Sequence, residues 1–262
     1  MIPNRALLDR EERLRQEFDR KAQADPEPQE QHLRRMAEPA VSREPLAADE
    51  RVLDVGCGEG WLCRLVAPRC PDGAIVGIDI SGEMIHQARE RSLALENVLH
   101  TAGSAEEIPW AEDYFTRVLS VETAYYWSSP ERAASEMFRV MAWGGRFDVL
   151  LSFYRENTAT HHWQELSSES LLLQSEADWR DLFALFGFRE IETTHLRDDL
   201  AKGGTFQPGR LWRTEQEWQQ FNELGALHIA GRKPRLPPPG PLASQPEQPR
   251  PPDPPDPLRI LR

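Results

Sequence analysis

Residues 52–60 read VLDVGCGEG. Val52, Leu53 and Val55 make a short apolar run around Asp54, and glycines follow at 56, 58 and 60. An apolar run closed by a Gly-rich turn predicts a buried strand. Residues 61–68 read as a helix, so the turn joins a strand to a helix. Glycines there permit positive φ and let the backbone approach a ligand closely. The helix start adds unpaired N–H groups. The dinucleotide pattern GxGxxG, counted from Gly56, needs a glycine at 61, where Trp61 stands. A tryptophan would crowd the helix–strand packing that the third glycine permits. Three alternating glycines also exceed what a tight turn needs, which points to a ligand.

Outward from this stretch, strands and helices alternate. Strands are expected at 74–78 ending on Asp79, at 97–101, at 117–121, and at 146–153 after the Gly144-Gly145 turn. Ser81 caps a helix to about Leu95, and Pro130 opens one to about Val140. Ser175 caps a helix to about Phe186, and Thr214 caps one to about Glu223. Further strands are expected near 189–194 and 226–231, joined by a loop holding Gly203, Gly204 and Gly209. Two weakly amphipathic helices, over 5–24 and about 29–41, flank the DPEP at 25–28. This order predicts an α/β fold with a mostly parallel sheet and helices on both faces. Ligands of such sheets bind outside the carboxyl ends of the strands, at the switch point.

Asp79 ends the second strand, 19 residues beyond Gly60. A carboxylate at that place can accept both hydroxyls of a ribose. With VLDVGCGEG come VGIDIS at 76–81, GSAEEIPW at 103–110 and EMFRVMAWGGRF at 136–147. In this order they resemble a class I S-adenosylmethionine-dependent methyltransferase, within it the broad type 11 branch. The likeness covers about 51–153 and extends more loosely to LHIAGRKP at 227–234. It implies a Rossmann-like seven-stranded methyltransferase fold. It also implies S-adenosylmethionine as cofactor and a small-molecule methyl acceptor. A protein acceptor, or a non-catalytic protein that binds the cofactor to regulate, are the alternatives.

The resemblance implies roles residue by residue. Gly56 and Gly58, with Cys57 and Gly60 in the same loop, would line the methionine part of the cofactor. Asp54 would hold the loop and reach the cofactor's amino group. Asp79 would bind the ribose and Ile80 pack on the adenine. Ala105 and Glu106 would contact adenine through backbone and side chain, and the Val121 carbonyl would receive the amino group. Ser104 departs from the family's usual Asp, so its bond to the adenine amino group lacks charge assistance. Trp143 replaces the usual Pro before Gly144-Gly145, a change expected to be structural.

Methyl transfer is an in-line displacement in which the protein positions and desolvates. A base is needed only if the acceptor must lose a proton. Candidates are Glu122, Tyr126, His161 and His162. Acceptor-binding candidates are Tyr125, Tyr126, Trp127, Tyr154 and Asn157, which follow the fourth and fifth strands. The 154–175 connection reads as a lid, and the N-terminal helices would complete it.

The 262 residues carry a formal net charge of −12, which opposes binding to phosphate backbones, so nucleic acid is not an expected partner. Cys57, Cys63 and Cys70 fit no metal-ligand spacing and are expected as small core side chains, so no metal site is expected. No signal-peptide core or membrane span is read in the sequence, and a cytoplasmic location is expected. Oligomeric state is left open by the sequence. From 234 the chain is dominated by Pro and polar residues, too poor in apolar groups to offset ordering. The expected division is therefore a helical cap over 1–45, the cofactor-binding domain over 46–233 with its 154–175 insertion, and a disordered Pro-rich tail over 234–262.

Overall fold

A computed structural model describes residues 5–23, 27–197, 206, 208–209 and 211–235. The expected glycines at 203 and 204 and nearly all of the Pro-rich tail lie outside the described residues. Seven strands form one sheet: β1 (Arg51–Val55), β2 (Ala74–Asp79), β3 (Val98–Ala102), β4 (Phe115–Val121), β5 (Met141–Leu151), β6 (Arg189–Leu196) and β7 (Ala226–Arg232). Their order is β3-β2-β1-β4-β5-β7-β6. All neighbours are parallel except β7, which runs antiparallel to both β5 and β6. The winding reverses between β1 and β4, so a crevice opens at the carboxyl ends of those two strands.

The helices are α1 (Arg5–Lys21), α2 (Glu27–Ser42), α3 (Trp61–Val66), α4 (Gly82–Arg91), α5 (Pro130–Val140), α6 (Glu176–Leu185) and α7 (Glu215–Leu224). Side-chain caps start four of them. Ser81, Ser129, Ser175 and Thr214 each accept from a backbone N–H one turn on. Ser175 and Thr214 add the reciprocal bond of a capping box.

Period-2 alternation decides which side chain meets which layer. Leu53, Val55, Val76, Ile78, Val118 and Val149 join α5 and α6 in the largest core cluster. Val52, Ile75 and Leu119 point the other way, to α3 and the three cysteines. Both faces are thus apolar, as a covered parallel sheet requires. Cys57, Cys63 and Cys70 are buried and unpaired.

Strand β5 begins at Met141, five residues before the expected start. Met141 pairs with Phe115, the register shifts before Arg117–Arg146, and Gly144 takes φ 83° at the irregularity. The Gly144-Gly145 pair is therefore a kink within a strand. The 154–175 connection contains 3-10 turns over Thr158–Leu166.

A charged network crosses the sheet core. Arg117 Nε lies 2.7 Å from Asp148, Arg146 lies 3.0 Å from it, and His228 Nε2 is 3.0 Å away. Burial opposes ionisation of Asp148, but the His228 bond and the two arginines outweigh it and hold its carboxyl below the usual range. A depressed carboxyl stabilises the fold above its unfolded pKa of about 4, and the contribution is lost as pH falls further. Asp148→Ala leaves Arg117 buried without its partner. It should cost about 3–5 kcal/mol in denaturant titrations at neutral pH. The cost should shrink as the titrations are repeated at pH below about 4.

Candidate functional site

The carboxyl ends of β1, β2 and β4 open into one cleft of about 1150 Å³, counted out to its mouth. The Gly-rich loop forms its floor. Gly56, Gly58 and Gly60 take φ of 76°, 52° and 77°. The loop is anchored to the second strand, because Gly56 N and Cys57 N both donate to the Ile78 carbonyl, at 2.8 and 2.9 Å. A Cβ on Gly56 would stand 2.4 Å from Thr123 Cγ2, whereas one on Gly58 would meet nothing within 4 Å. Gly56 therefore closes the loop against the β4 corner, and Gly58 faces open space.

Asp79 ties the loop to the end of β2. One carboxylate oxygen accepts from Gly58 N and the other from Ser81 N, both at 2.9 Å. Burial raises its pKa, and the N–H donors oppose that shift. Each carboxylate oxygen retains a further lone pair for a ligand hydroxyl.

At the β4 end, Glu122 holds a positive φ of 57°. That conformation is uncommon outside glycine and costs roughly 1–3 kcal/mol. Its carboxylate accepts from Ser152 Oγ at 2.7 Å and Tyr125 OH at 2.9 Å. Burial pushes Glu122 up to about 7, against the pull of those two donors. It still lines the cleft beside Thr123, Tyr126 and Trp127.

Helix α1 closes the space from above with Glu11, Leu14 and Phe18, and α2 adds Leu33. Phe18 meets Tyr126 edge-on at 4.9 Å between ring centroids. Two sets of bonds hold α1 down. Glu17 accepts from Ser168 N at 2.8 Å and from the Ser167 hydroxyl at 3.2 Å. On the other side Asp19 accepts from the Ser81 hydroxyl at 2.5 Å.

A family model described as a methyltransferase domain matches residues 52–145. The methyltransferase chain in the solved complex with the Haloferax volcanii Trm112 methyltransferase activator is 26% identical. It superposes with a TM-score of 0.76 over 84% of this chain and 98% of its own length. Residues 52–145 thus match the methyltransferase-domain family, and the seven-stranded sheet is the Rossmann-like fold of the class I S-adenosylmethionine-dependent methyltransferases. A chloroplastic 2-methyl-6-phytyl-1,4-hydroquinone methyltransferase of Oryza sativa subsp. japonica is 27% identical over 150 residues, which are 56% of this chain and 41% of that one. The uncharacterized methyltransferase YcgJ of Bacillus subtilis is 27% identical over 158 residues, 57% of this chain and 62% of that one. The chain thus spans about half the length of these curated relatives.

S-adenosylmethionine is the cofactor of this class, and the cleft fits it. Gly58 leaves room where a side chain would intrude, and Asp79 offers a carboxylate at the β2 end. Of the residues expected at the methyltransferase cofactor, Gly56, Cys57, Gly58, Asp79, Ile80, Ser104, Ala105, Glu106 and Val121 line the cleft together. Asp54 and Gly60 do not line it. Asp54 falls on the α3 face of β1, where Cys63 Sγ donates to it at 3.5 Å, and burial pushes it up to about 7. Gly60 packs toward His100 and Ala88.

Glu106 and Ser104 are committed to the protein itself. Glu106 accepts from Ser128 N at 2.6 Å, Ser129 N at 3.1 Å and the Ser104 hydroxyl at 2.5 Å. The Glu106 side chain thus pins the loop before α5, and the Ser104 hydroxyl proton is already used.

Several expected acceptor-site residues stand elsewhere. Tyr125 is buried behind Glu122, to which its hydroxyl donates. Tyr154 is buried with its hydroxyl on the Gly225 carbonyl at 3.0 Å, and Asn157 donates to the Ser152 carbonyl at 3.0 Å. His161 bonds the Arg155 carbonyl and His162 the Leu211 carbonyl, at 3.1 and 3.0 Å, and neither lines the cleft. The 154–175 connection therefore supports the α1 roof and does not itself line the cleft. Glu122, Tyr126 and Trp127 remain at the cleft wall. Trp61, Met84 and Thr123 also line it, unmarked by any motif.

The two loop glycines separate packing from ligand contact. Gly56→Ala should destabilise the fold by at least about 2 kcal/mol through its φ and the Thr123 clash. Gly58→Ala should cost about 1 kcal/mol, with its main effect on ligand binding. Thermal melts with and without S-adenosylhomocysteine distinguish the two; equal losses of stability would contradict the assignment.

Proposed function

We infer that the protein transfers a methyl group from S-adenosylmethionine to a small molecule held beneath α1. The observation that carries this reading is the continuity of one cleft. It runs from the Gly-rich loop and Asp79, past Val121, to Glu122, Tyr126 and Phe18 under the α1 roof. S-adenosylmethionine supplies the methyl group as a sulfonium electrophile. Gly56, Cys57 and Gly58 hold the methionine end, Asp79 the ribose hydroxyls, and Ile80 and Ala105 the adenine.

The α1 roof excludes water and orients the acceptor toward the loop, the part of catalysis that positioning provides. Trp127 lines the same cleft with an aromatic ring suited to a cationic sulfonium. The roof also argues for a small acceptor over a protein chain, since a bulky substrate needs an open face. The unpaired cysteines suit a reducing compartment, which supports a cytoplasmic location. Among the described residues no helix is long and apolar enough to cross a membrane. We divide the chain into a helical cap over 1–45, a catalytic domain over 46–233 and a Pro-rich tail.

Calorimetry with S-adenosylmethionine tests the cofactor site. The wild type should bind one equivalent, and Asp79→Ala should weaken binding at least about tenfold, or about 1.4 kcal/mol. Unchanged affinity in a variant that still melts cooperatively would remove Asp79 from the site.

A further inference from the structure

The charged lining of the cleft has one sign. Glu11, Glu59, Asp79, Glu106 and Glu122 all line it, and no Lys, Arg or His does among the described residues. The cations near the rim are already committed. Lys21 stands over the Phe18 and Tyr126 rings but is 2.6 Å from Glu17. Arg10 donates to the Ser170 carbonyl at 2.7 Å, and Arg132 to the Glu106 carbonyl at 3.3 Å. Of the five acids, Glu59 pairs with Arg91 at 2.5 Å, and Glu106 is filled by two N–H groups and a hydroxyl. Asp79 belongs to the cofactor end. Glu122 and Glu11 are left lining the space under the roof, and burial and the Glu106 charge raise Glu11 against the pull of Arg132 and Arg15.

This lining discriminates between nucleophiles. A phenol, enol or carboxylic acid attacks as an anion or becomes one, and carboxylates around it disfavour that charge. An amine behaves oppositely. It arrives as an ammonium, which the acids and the Trp127 ring attract. Transfer to it moves the positive charge from sulfur to nitrogen without removing it from the cleft.

We propose that the methyl acceptor is a small amine that enters protonated, and that Glu122 takes its proton. This rests on the cofactor reading above. The ammonium gives one proton to the Glu122 carboxylate, leaving a neutral amine with a free electron pair. The amine nitrogen attacks the methyl carbon, the N–C bond forms as the C–S bond breaks, and the electrons of that bond stay on sulfur. The product is a methylated ammonium and a neutral thioether, and the Glu122 carboxyl returns its proton to water. The positive φ of Glu122 and its two hydroxyl donors fix the carboxylate at the β4 corner. The carboxylate lines the cleft, and its donors do not use all of its acceptor positions.

The test has three arms on the full chain. Calorimetry with S-adenosylhomocysteine comes first: no binding would defeat the cofactor reading, and this proposal with it. Second, protein that binds is incubated with methyl-labelled S-adenosylmethionine and a cell metabolite extract, and the products are sorted by ion exchange at neutral pH. Label in cationic methylamines is the expected result. Label only in neutral or anionic products, or no labelled product, would overturn the amine assignment while leaving the cofactor reading intact. Third, 2-phenylethylamine and phenylacetate are titrated against the S-adenosylhomocysteine complex by calorimetry. The amine should bind at least about tenfold more tightly, and Glu122→Gln should erase that preference while leaving cofactor affinity within about twofold. Equal or tighter binding of the acid by the wild type would overturn the proposal. So would a Glu122→Gln variant with unchanged amine preference and unchanged kcat/KM on the labelled acceptor, where a loss of at least about a hundredfold is expected.

Discussion

The Asp79 carboxylate joins the two halves of the site. One oxygen accepts the Gly58 N–H and the other the Ser81 N–H. The first bond holds the Gly-rich loop in register with the end of β2. The second fixes the turn into α4. Because β2 pairs with β1 in parallel from Arg51–Ala74 to Val55–Ile78, the loop and the carboxylate leave the sheet at the same height. A ligand spanning loop and carboxylate therefore meets groups already placed by backbone pairing. Ordering these donors during folding removes that entropic cost from binding.

The second constraint comes from the other side of the switch point. Thr123 fills the place where a Gly56 side chain would stand, so loop and β4 corner are packed as one unit. Glu122, one residue earlier, takes a positive φ and lines the cleft. Helix α1 then lies across both, held by Glu17 at the 167–168 turn and by Asp19 at the start of α4. The roof rests on polar bonds at its two edges and on Leu14 and Phe18 between them.

Much of this was legible in the sequence. The β1 turn, the Asp79 strand end, the caps at Ser81, Ser175 and Thr214 and the helix start at Pro130 are local signals, and each reflects chemistry within a few residues. The order of these elements gave the sheet class. What failed was long-range orientation. Asp54 has the right type and spacing, but strand parity turns it toward Cys63 on α3. His161, His162, Tyr154 and Asn157 sit in a polar, aromatic stretch, yet their polar atoms satisfy distant backbone carbonyls. Glu106 is drawn to Ser128 and Ser129, more than twenty residues away. A kink within a strand and a turn before one have the same glycine signature, so Gly144-Gly145 does not mark where β5 starts. The N-terminal helices were expected over the site, and Glu11, Leu14, Phe18 and Leu33 do line the cleft, but the helical spacing of Leu14 and Phe18 alone does not say which surface that face meets.

The central claim is that the loop, the β2 end and the α1 roof enclose one cofactor. Amide hydrogen exchange with and without S-adenosylhomocysteine tests it most directly, because it reports on all three segments at once. Slowed exchange over residues 56–60, at 79–81 and along α1, with little change at β6 and β7, is the predicted result. Protection confined to another part of the sheet, or none at saturating ligand, would contradict it.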